Sequence, residues 1–211
     1  MCCRFFVDGT SELHFYAEKA KDSPLAALMV NKLIRPIICD GEVAPTNIVP
    51  VLASSKAQTA TVFPMVWGIP NPRGGSPLIN CRAETAGQKP FWKEAWRAHR
   101  CVIPASYYFE WEHRINQSTG KKETGDKYLI QPKNSAVTWL AGVYRIEEMS
   151  GIRVPVFAVL TRERGEGIRF IHDRMPLILP ERLTEDWIKP DTQPDELMKN
   201  ALTDMVFEKA V

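Results

Sequence analysis

Apolar positions along this chain recur mostly in short runs, many of them β-branched and separated by turn-forming residues. Such runs read as strands. They fall at residues 48–52, 61–67, 78–82, 101–103, 107–111, 128–131, 137–144 and 154–161. Pro64 removes a backbone donor from the second run, which predicts an edge position or a bulge there. Helical spacing is rarer. Ser23-Pro24 is a start signal, a capping serine before proline at the first helical position. Leu25, Leu28, Met29 and Leu33 then follow on one face, and Pro36 lies just past the stop. Pro90 opens a helix carrying Phe91, Trp92, Ala95 and Trp96, a short helix precedes His172, and helical patches fall at 183–188 and 196–202. The polar run 113–127, with Gly120 and Gly125, reads as a long hairpin loop. Strands do not alternate regularly with helices, which argues against a doubly wound parallel sheet. The pattern predicts an α+β fold, one domain over residues 1–211, around a curved, mostly antiparallel, barrel-like sheet with short flanking helices.

Composition narrows the class. A chain of 211 residues suits one domain and buries a core without staples. Hydrophobic residues at 45% and charged residues at 25% are ordinary for a globular protein. No apolar run approaches the roughly 20 residues of a membrane span. MCCRFFVDGT lacks the pattern of a secretory signal. Five cysteines without a Cys-x-x-Cys pair argue against a disulfide framework and a zinc ribbon. A reduced, cytoplasmic protein is expected. The net charge of +2 hides an asymmetry, because residues 181–211 hold four Lys/Arg against eight Asp/Glu. Between Arg82 and Arg100, five Lys/Arg and two Glu interleave with Phe91, Trp92 and Trp96. That segment fits either a nucleic-acid backbone with stacked bases or an amphipathic helix whose tryptophans face the core.

Four residues stand out chemically. Cys2 follows Met1, and removal of Met1 leaves an amine and a thiol on adjacent carbons, with ordinary pKa values of about 8 and about 8.5. Both are nucleophiles near neutrality, and the pair can close a thiazolidine on an aldehyde. Cys3 has no free amine to offer. Glu110 shares a strand face with Tyr108 and Glu112, opposite Tyr107, Phe109 and Trp111. With Phe109 and Trp111 in the core, it lines the other surface as an acid/base candidate or as an exposed glutamate. His172, before Asp173-Arg174, reads as a proton carrier or a core histidine. Asn80 ends an apolar run, where it faces a ligand or caps a turn. His14, His99, His113 and His172 lack the spacing of a helical metal site, and Cys39, Cys81 and Cys101 read as buried thiols. Gly74-Gly75 lacks a phosphate-cradling pattern. No metal and no nucleotide cofactor is expected.

Taken together, the motifs resemble the SOS-response-associated peptidase family of abasic-site-processing proteins. The matching pieces are Met1-Cys2 with Arg4, Ala44-Pro45-Thr46 with Val49-Pro50-Val51, Trp67-Gly68-Ile69-Pro70, and Asn80-Cys81-Arg82-Ala83-Glu84-Thr85. Arg100 to Ala105, Phe109-Glu110-Trp111 and His172-Asp173-Arg174-Met175-Pro176 follow in the family's order, to about residue 180. The resemblance implies a single α+β domain that senses abasic sites in single-stranded DNA and cross-links to them, without a membrane and as a monomer. It implies Cys2 as nucleophile and Asn80 as the group positioning the amine or the opened sugar. Glu110 would assist imine and ring formation, and His172 would open the deoxyribose. It places Arg4, Arg82 and Arg174 on phosphates and Trp67 against a base or the kinked backbone, and includes self-removal of Met1. The chain departs from the family at Cys3, at 71–77 and at Cys81. Two other readings of the same residues are an N-terminal-nucleophile hydrolase using Cys2 and a non-catalytic single-strand-binding module.

Overall fold

The computed structural model describes residues 2–115 and 118–210. Its strands are β1 (Arg4–Val7), β2 (Gly41–Val43), β3 (Ile48–Ser54), β4 (Ala60–Trp67), β5 (Asn80–Arg82), β6 (Arg100–Ala105) and β7 (Tyr107–Ile115). They continue with β8 (Lys122–Pro132), β9 (Thr138–Met149), β10 (Ile152–Glu163), β11 (Arg174–Pro176), β12 (Ile178–Leu179) and β13 (Met205–Lys209). The helices are short: α1 (His14–Lys21), α2 (Pro24–Leu33), α3 (Ala83–Ala86), α4 (Pro90–Ala98), α5 (Thr184–Ile188) and α6 (Pro194–Leu197). The fold is α+β, as the pattern predicts.

The strands make two sheets rather than one curved sheet. The first is antiparallel in the order β13-β8-β7-β1-β2. The second runs β11-β10-β4-β3-β6-β9-β12, and β10 also pairs with β9 from Ile152 to Val159. That extra pairing closes β10, β4, β3, β6 and β9 into a barrel, which removes their open edges. Among the described strand pairs, β10 with β4 and β10 with β5 are parallel and the rest antiparallel. β6 belongs to the barrel and β7 to the first sheet, so the chain changes sheets at Ser106. That corner is pinned by Ser106 Oγ, which accepts from the Asp8 amide at 2.9 Å, and by the Ser106 carbonyl, which accepts from Thr138 Oγ1 at 2.9 Å.

Two expectations change, and one choice between alternatives is made. β4 is an interior strand despite Pro64, which stands opposite Pro50 of β3. The missing donor is tolerated because β10 pairs with β4 only at Val66 and Trp67. The run 113–127 is not a long loop: β7 extends to Ile115 and β8 begins at Lys122, the two arms held in register from His113–Thr124 to Ile115–Lys122. Residues 116 and 117 of that run lie outside the described residues. Within the basic segment 82–100 the amphipathic-helix reading holds: α4 buries Trp92, Ala95 and Trp96 and turns Lys93 and Arg97 outward. Among the described residues, no helix is long and apolar enough to cross a membrane.

Candidate functional site

Cys2 lies where the two sheets approach each other, just ahead of β1, and is fully buried. Asn80 on β5 reaches it from the barrel side, its Nδ2 donating to the Cys2 carbonyl at 2.8 Å. The Cys2 thiol donates weakly to the Arg4 carbonyl at 3.5 Å. Burial pushes this thiol far above its usual range, and the nearby Glu110 carboxylate and Cys3 push it the same way. The thiol is therefore held protonated at rest.

Glu110 comes from the first sheet, but on the face opposite to the one expected. Tyr108 and Glu110 are the inward residues of β7, at 0% and 3% exposure. Phe109 instead covers the outer face, stacked edge-on with Tyr107 and lying under the Lys127 ammonium at 3.7 Å. The aromatic face of β7 has the aliphatic stem and charge of Lys127 to cover it, which leaves the carboxylate face free to turn inward. Burial raises the Glu110 pKa. Glu110 Oε1 also accepts from the Trp111 amide at 3.3 Å.

His172 closes the third side. Its Nδ1 accepts from the Arg174 amide at 2.9 Å, so the neutral ring carries its proton on Nε2. Burial lowers its pKa to about 4, helped by His113. The ring is thus neutral at pH 7 rather than divided between two protonation states. His113 packs on it with ring centroids 4.2 Å apart. A β-bulge between Trp111 and His113 shifts the alternation of β7 by one residue and re-aims the His113 side chain. The His113 amide also donates to the Ile171 carbonyl at 3.0 Å, docking the His172 segment onto β7.

Trp67 is not at the surface. It is fully buried, 5.1 Å from the Phe5 ring and stacked on Phe157, with its Nε1 donating to the Ile79 carbonyl at 3.0 Å. The correction has a plain cause: its indole anchors the residue before Asn80 and packs against β1, so it positions the site and offers no ring to a base. Gly68 follows at φ 122°, a left-handed turn where a Cβ would stand 3.0 Å from Pro77.

The arginines differ in availability. Arg82 is exposed and shares a face of β5 with Asn80, while Cys81 points the other way into the core. Burial pushes the Cys81 thiol up to about 12. Arg4 pairs with Glu42 at 3.1 Å and donates to the Cys3 carbonyl at 3.0 Å. Arg174 is clamped by both oxygens of Glu84, at 2.8 and 2.9 Å, and donates to the Thr161 carbonyl at 2.7 Å. A phosphate at Arg174 has to share it with Glu84.

The sequence did not mark Tyr108 or His113 as site residues. Tyr108 is fully buried, its hydroxyl has no hydrogen-bond partner, and it lies within electrostatic reach of Cys2 and Glu110. Asn80 Oδ1 is likewise buried without a partner. The shared face of Tyr108 and Glu110 was readable from spacing; which face turned inward was not. Among the described residues no group of three or more His, Cys, Asp or Glu side chains is placed to hold a metal.

An α+β scaffold thus presents a cysteine at residue 2 among an amide, a carboxyl, a phenol and a neutral imidazole, a constellation suited to nucleophile-and-proton chemistry. The sequence profile of the SOS response associated peptidase (SRAP) family matches residues 1–210, and the chain belongs to that family. It is 33% identical over 138 residues to the abasic site processing protein YoaM of Bacillus subtilis, covering 62% of this chain and 58% of that one. It is 26% identical over 200 residues to the abasic site processing protein YedK of Escherichia coli, covering 90% and 86%. The chain therefore spans under two thirds of the length of the Bacillus relatives it matches. The fold is shared with a protein of Bacteroides thetaiotaomicron at TM-score 0.71 and 21% identity, covering 99% of this chain and 91% of that one.

Proposed function

We propose that this chain recognises abasic sites in single-stranded DNA and captures them covalently through Cys2 after Met1 is removed. Met1 lies outside the described residues. The observation that carries the reading is the clasp of Cys2 between Asn80 and Glu110, with neutral His172 beside them, in a chain of this family.

An abasic sugar is mostly a closed hemiacetal, and the reactive species is its open aldehyde. Neutral His172, with Nε2–H as donor, suits polarising the ring oxygen as it opens. The Cys2 amine then adds to the aldehyde carbon, and loss of water gives an imine. The thiol adds across the C=N bond: carbon–sulfur forms, and the sulfhydryl proton ends on nitrogen. Glu110, its pKa raised by burial, suits carrying that proton from sulfur to nitrogen. Holding thiol and imine on adjacent carbons makes the closure intramolecular, an advantage of several kcal/mol. It also consumes an imine that otherwise promotes strand cleavage by β-elimination. Asn80 orients the terminal residue through its carbonyl. Arg4, Arg82 and Arg174 are the phosphate contacts in this reading, Arg174 by exchange with Glu84. The chain acts as a monomer, as one domain over residues 1–211, in the cytoplasm.

The test is intact mass and denaturing-gel analysis after mixing with single-stranded DNA carrying one abasic site. The expected adduct has the mass of protein without Met1 plus DNA less one water. Cys2→Ala abolishes it, and Cys3→Ala leaves it largely intact. An uncleaved N-terminal tag blocks it fully, since the amine is lost. Adduct formation by a demonstrably tagged chain overturns the thiazolidine scheme. Turnover of a peptide without adduct turns the reading to an N-terminal-nucleophile hydrolase. Binding that ignores Cys2→Ala, with no adduct, turns it to a single-strand-binding module.

A further inference from the structure

The face of the first sheet that carries Tyr108 and Glu110 continues outward beyond the site. Residues directly opposed on antiparallel strands project to the same side. Glu110 of β7 opposes Tyr128 of β8, and Tyr128 opposes Lys209 of β13. One row over, Tyr108 opposes Ile130, and Ile130 opposes Phe207. Both rows run from the buried site to the last strand of the sheet.

At that outer end three rings gather. Phe170 lies two residues before His172, and its centroid is 5.5 Å from Tyr128 and 5.1 Å from Phe207. Tyr128 and Phe207 are 5.9 Å apart. Phe170 and Phe207 are 46% and 38% exposed, whereas Tyr108 and Ile130 further in are fully buried. The neighbouring charges cancel: Asp126 pairs with Arg114 at 2.9 Å and with Lys209 at 3.0 Å, and Arg114 also pairs with Glu112 at 2.7 Å. Within this group two cations meet two carboxylates; exposed Arg169, next to Phe170, lies outside it. What this edge offers is π-surface, continuous with the site.

We propose that Phe170, Phe207 and Tyr128 form a stacking platform for an unpaired base adjoining the lesion nucleotide. The proposal rests on the reading that the substrate is single-stranded DNA. Continuity with the Glu110 row points to the strand itself as occupant, and the self-neutralised rim points to the flat face of a base. Stacking of this kind tolerates any base and adds little to salt dependence.

The test is binding, measured by fluorescence anisotropy, to a single-stranded oligonucleotide carrying one unreactive tetrahydrofuran abasic analogue. Phe170→Ala and Phe207→Ala are expected to weaken binding by about 5- to 150-fold each. The slope of log affinity against log salt stays unchanged. The loss disappears on an oligonucleotide whose neighbours on one side of the lesion also lack bases. Phe15→Ala, at a 58% exposed ring on α1, serves as the control and leaves affinity unchanged. Phe207→Tyr keeps a ring on β13 and retains affinity, which covers the case of an alanine variant that does not fold. Wild-type affinity in both folded alanine variants overturns the platform while the capture reading stands. Self-association of wild type that Phe170→Ala abolishes also overturns it, giving the rings to a second copy. A wild type that binds no strand and forms no adduct overturns the capture reading first and the platform with it.

Discussion

Arg100 and Glu110 stand on one continuous run of strand, β6 passing into β7 through Ser106, and both are buried. Around Arg100 every donor is used. Its Nε donates to the Trp187 carbonyl at 2.7 Å, and its Nη1 to the carbonyls of Trp96 and Arg97 at 2.9 and 2.7 Å. Its Nη2 reaches Thr192 Oγ1 at 2.8 Å and the Lys189 carbonyl, while the guanidinium lies over Trp187. Burial lowers its pKa to about 10, which still leaves it charged at neutral pH. Around Cys2 the accounting is different. The thiol and Glu110 are both pushed toward their neutral forms, and Asn80 Oδ1 and the Tyr108 hydroxyl have no partner. Buried polar groups in native proteins are normally satisfied, so Asn80 Oδ1 and the Tyr108 hydroxyl, two of several such orphans, are candidates for groups kept for something that arrives. The chain from β6 to β7 therefore carries a completed polar cluster that locks the C-terminal segment and an uncompleted one at the proposed site.

The largest break in this comparison comes at Arg100. Arg100→Ala strands several carbonyls in the interior and releases α4 from the segment after α5. The expected cost is at least about 3 kcal/mol, read as a lowered urea midpoint. Arg100→Lys should recover only part of it, because an ammonium does not reproduce the planar fork. A loss below about 1 kcal/mol would remove the contrast between the two clusters.

A smaller effect separates the clusters by pH. His172 has its pKa lowered from 6.5 to about 4 in the folded chain, so between those values the unfolded chain binds more protons. Its contribution to stability is present above pH 6.5 and is lost as pH falls toward 4. Glu110 runs the other way: its folded pKa is raised, so its contribution is present below about 4.5 and is lost as pH rises through the folded value. His172→Gln should flatten the decline of stability between pH 6.5 and 4. Glu110→Gln should leave that acid limb and remove the loss on the alkaline side. Urea titrations at four pH values decide it, and an acid limb unchanged in His172→Gln refutes the assignment.

The strands of the barrel and the α2 and α4 helices were legible because short β-branched runs and Ser-Pro or Pro starts are local signals. Cys2, Asn80, Glu110 and His172 were legible as an ordered set of motifs; they lie on four sequence-distant segments, with Asn80 and Glu110 beside Cys2 and His172 packed on His113 of β7. What the chain did not announce depends on long-range partners. The inward face of β7 is decided by Lys127, on another strand, which covers Phe109 and Trp111. The re-aiming of His113 is decided by a bulge that no residue pattern marks. β13 pairs with β8 across more than seventy residues of sequence, and its five residues MVFEK are too few to mark a strand without that partner. Trp67 was read as a contact because its motif is conspicuous, yet its indole spends its one donor on Ile79.

The smallest expected effect sharpens the comparison most. Tyr108→Phe removes one oxygen from the centre of the site and nothing else. A buried hydroxyl without a partner is a cost, typically about 1 kcal/mol or more, so the variant should be as stable as wild type or more stable by about 1 kcal/mol. Arg100→Ala and Tyr108→Phe then move the urea midpoint in opposite directions, although both delete a buried polar group. Covalent capture should slow in Tyr108→Phe, since the hydroxyl stands within reach of Cys2 and Glu110, where sulfur and carboxylate charges change during the reaction. A gain in stability with a loss in rate is the trade expected of a group retained for chemistry. A destabilised Tyr108→Phe would mean that the hydroxyl is satisfied in the folded chain, and the division between the two clusters would fail at its central residue.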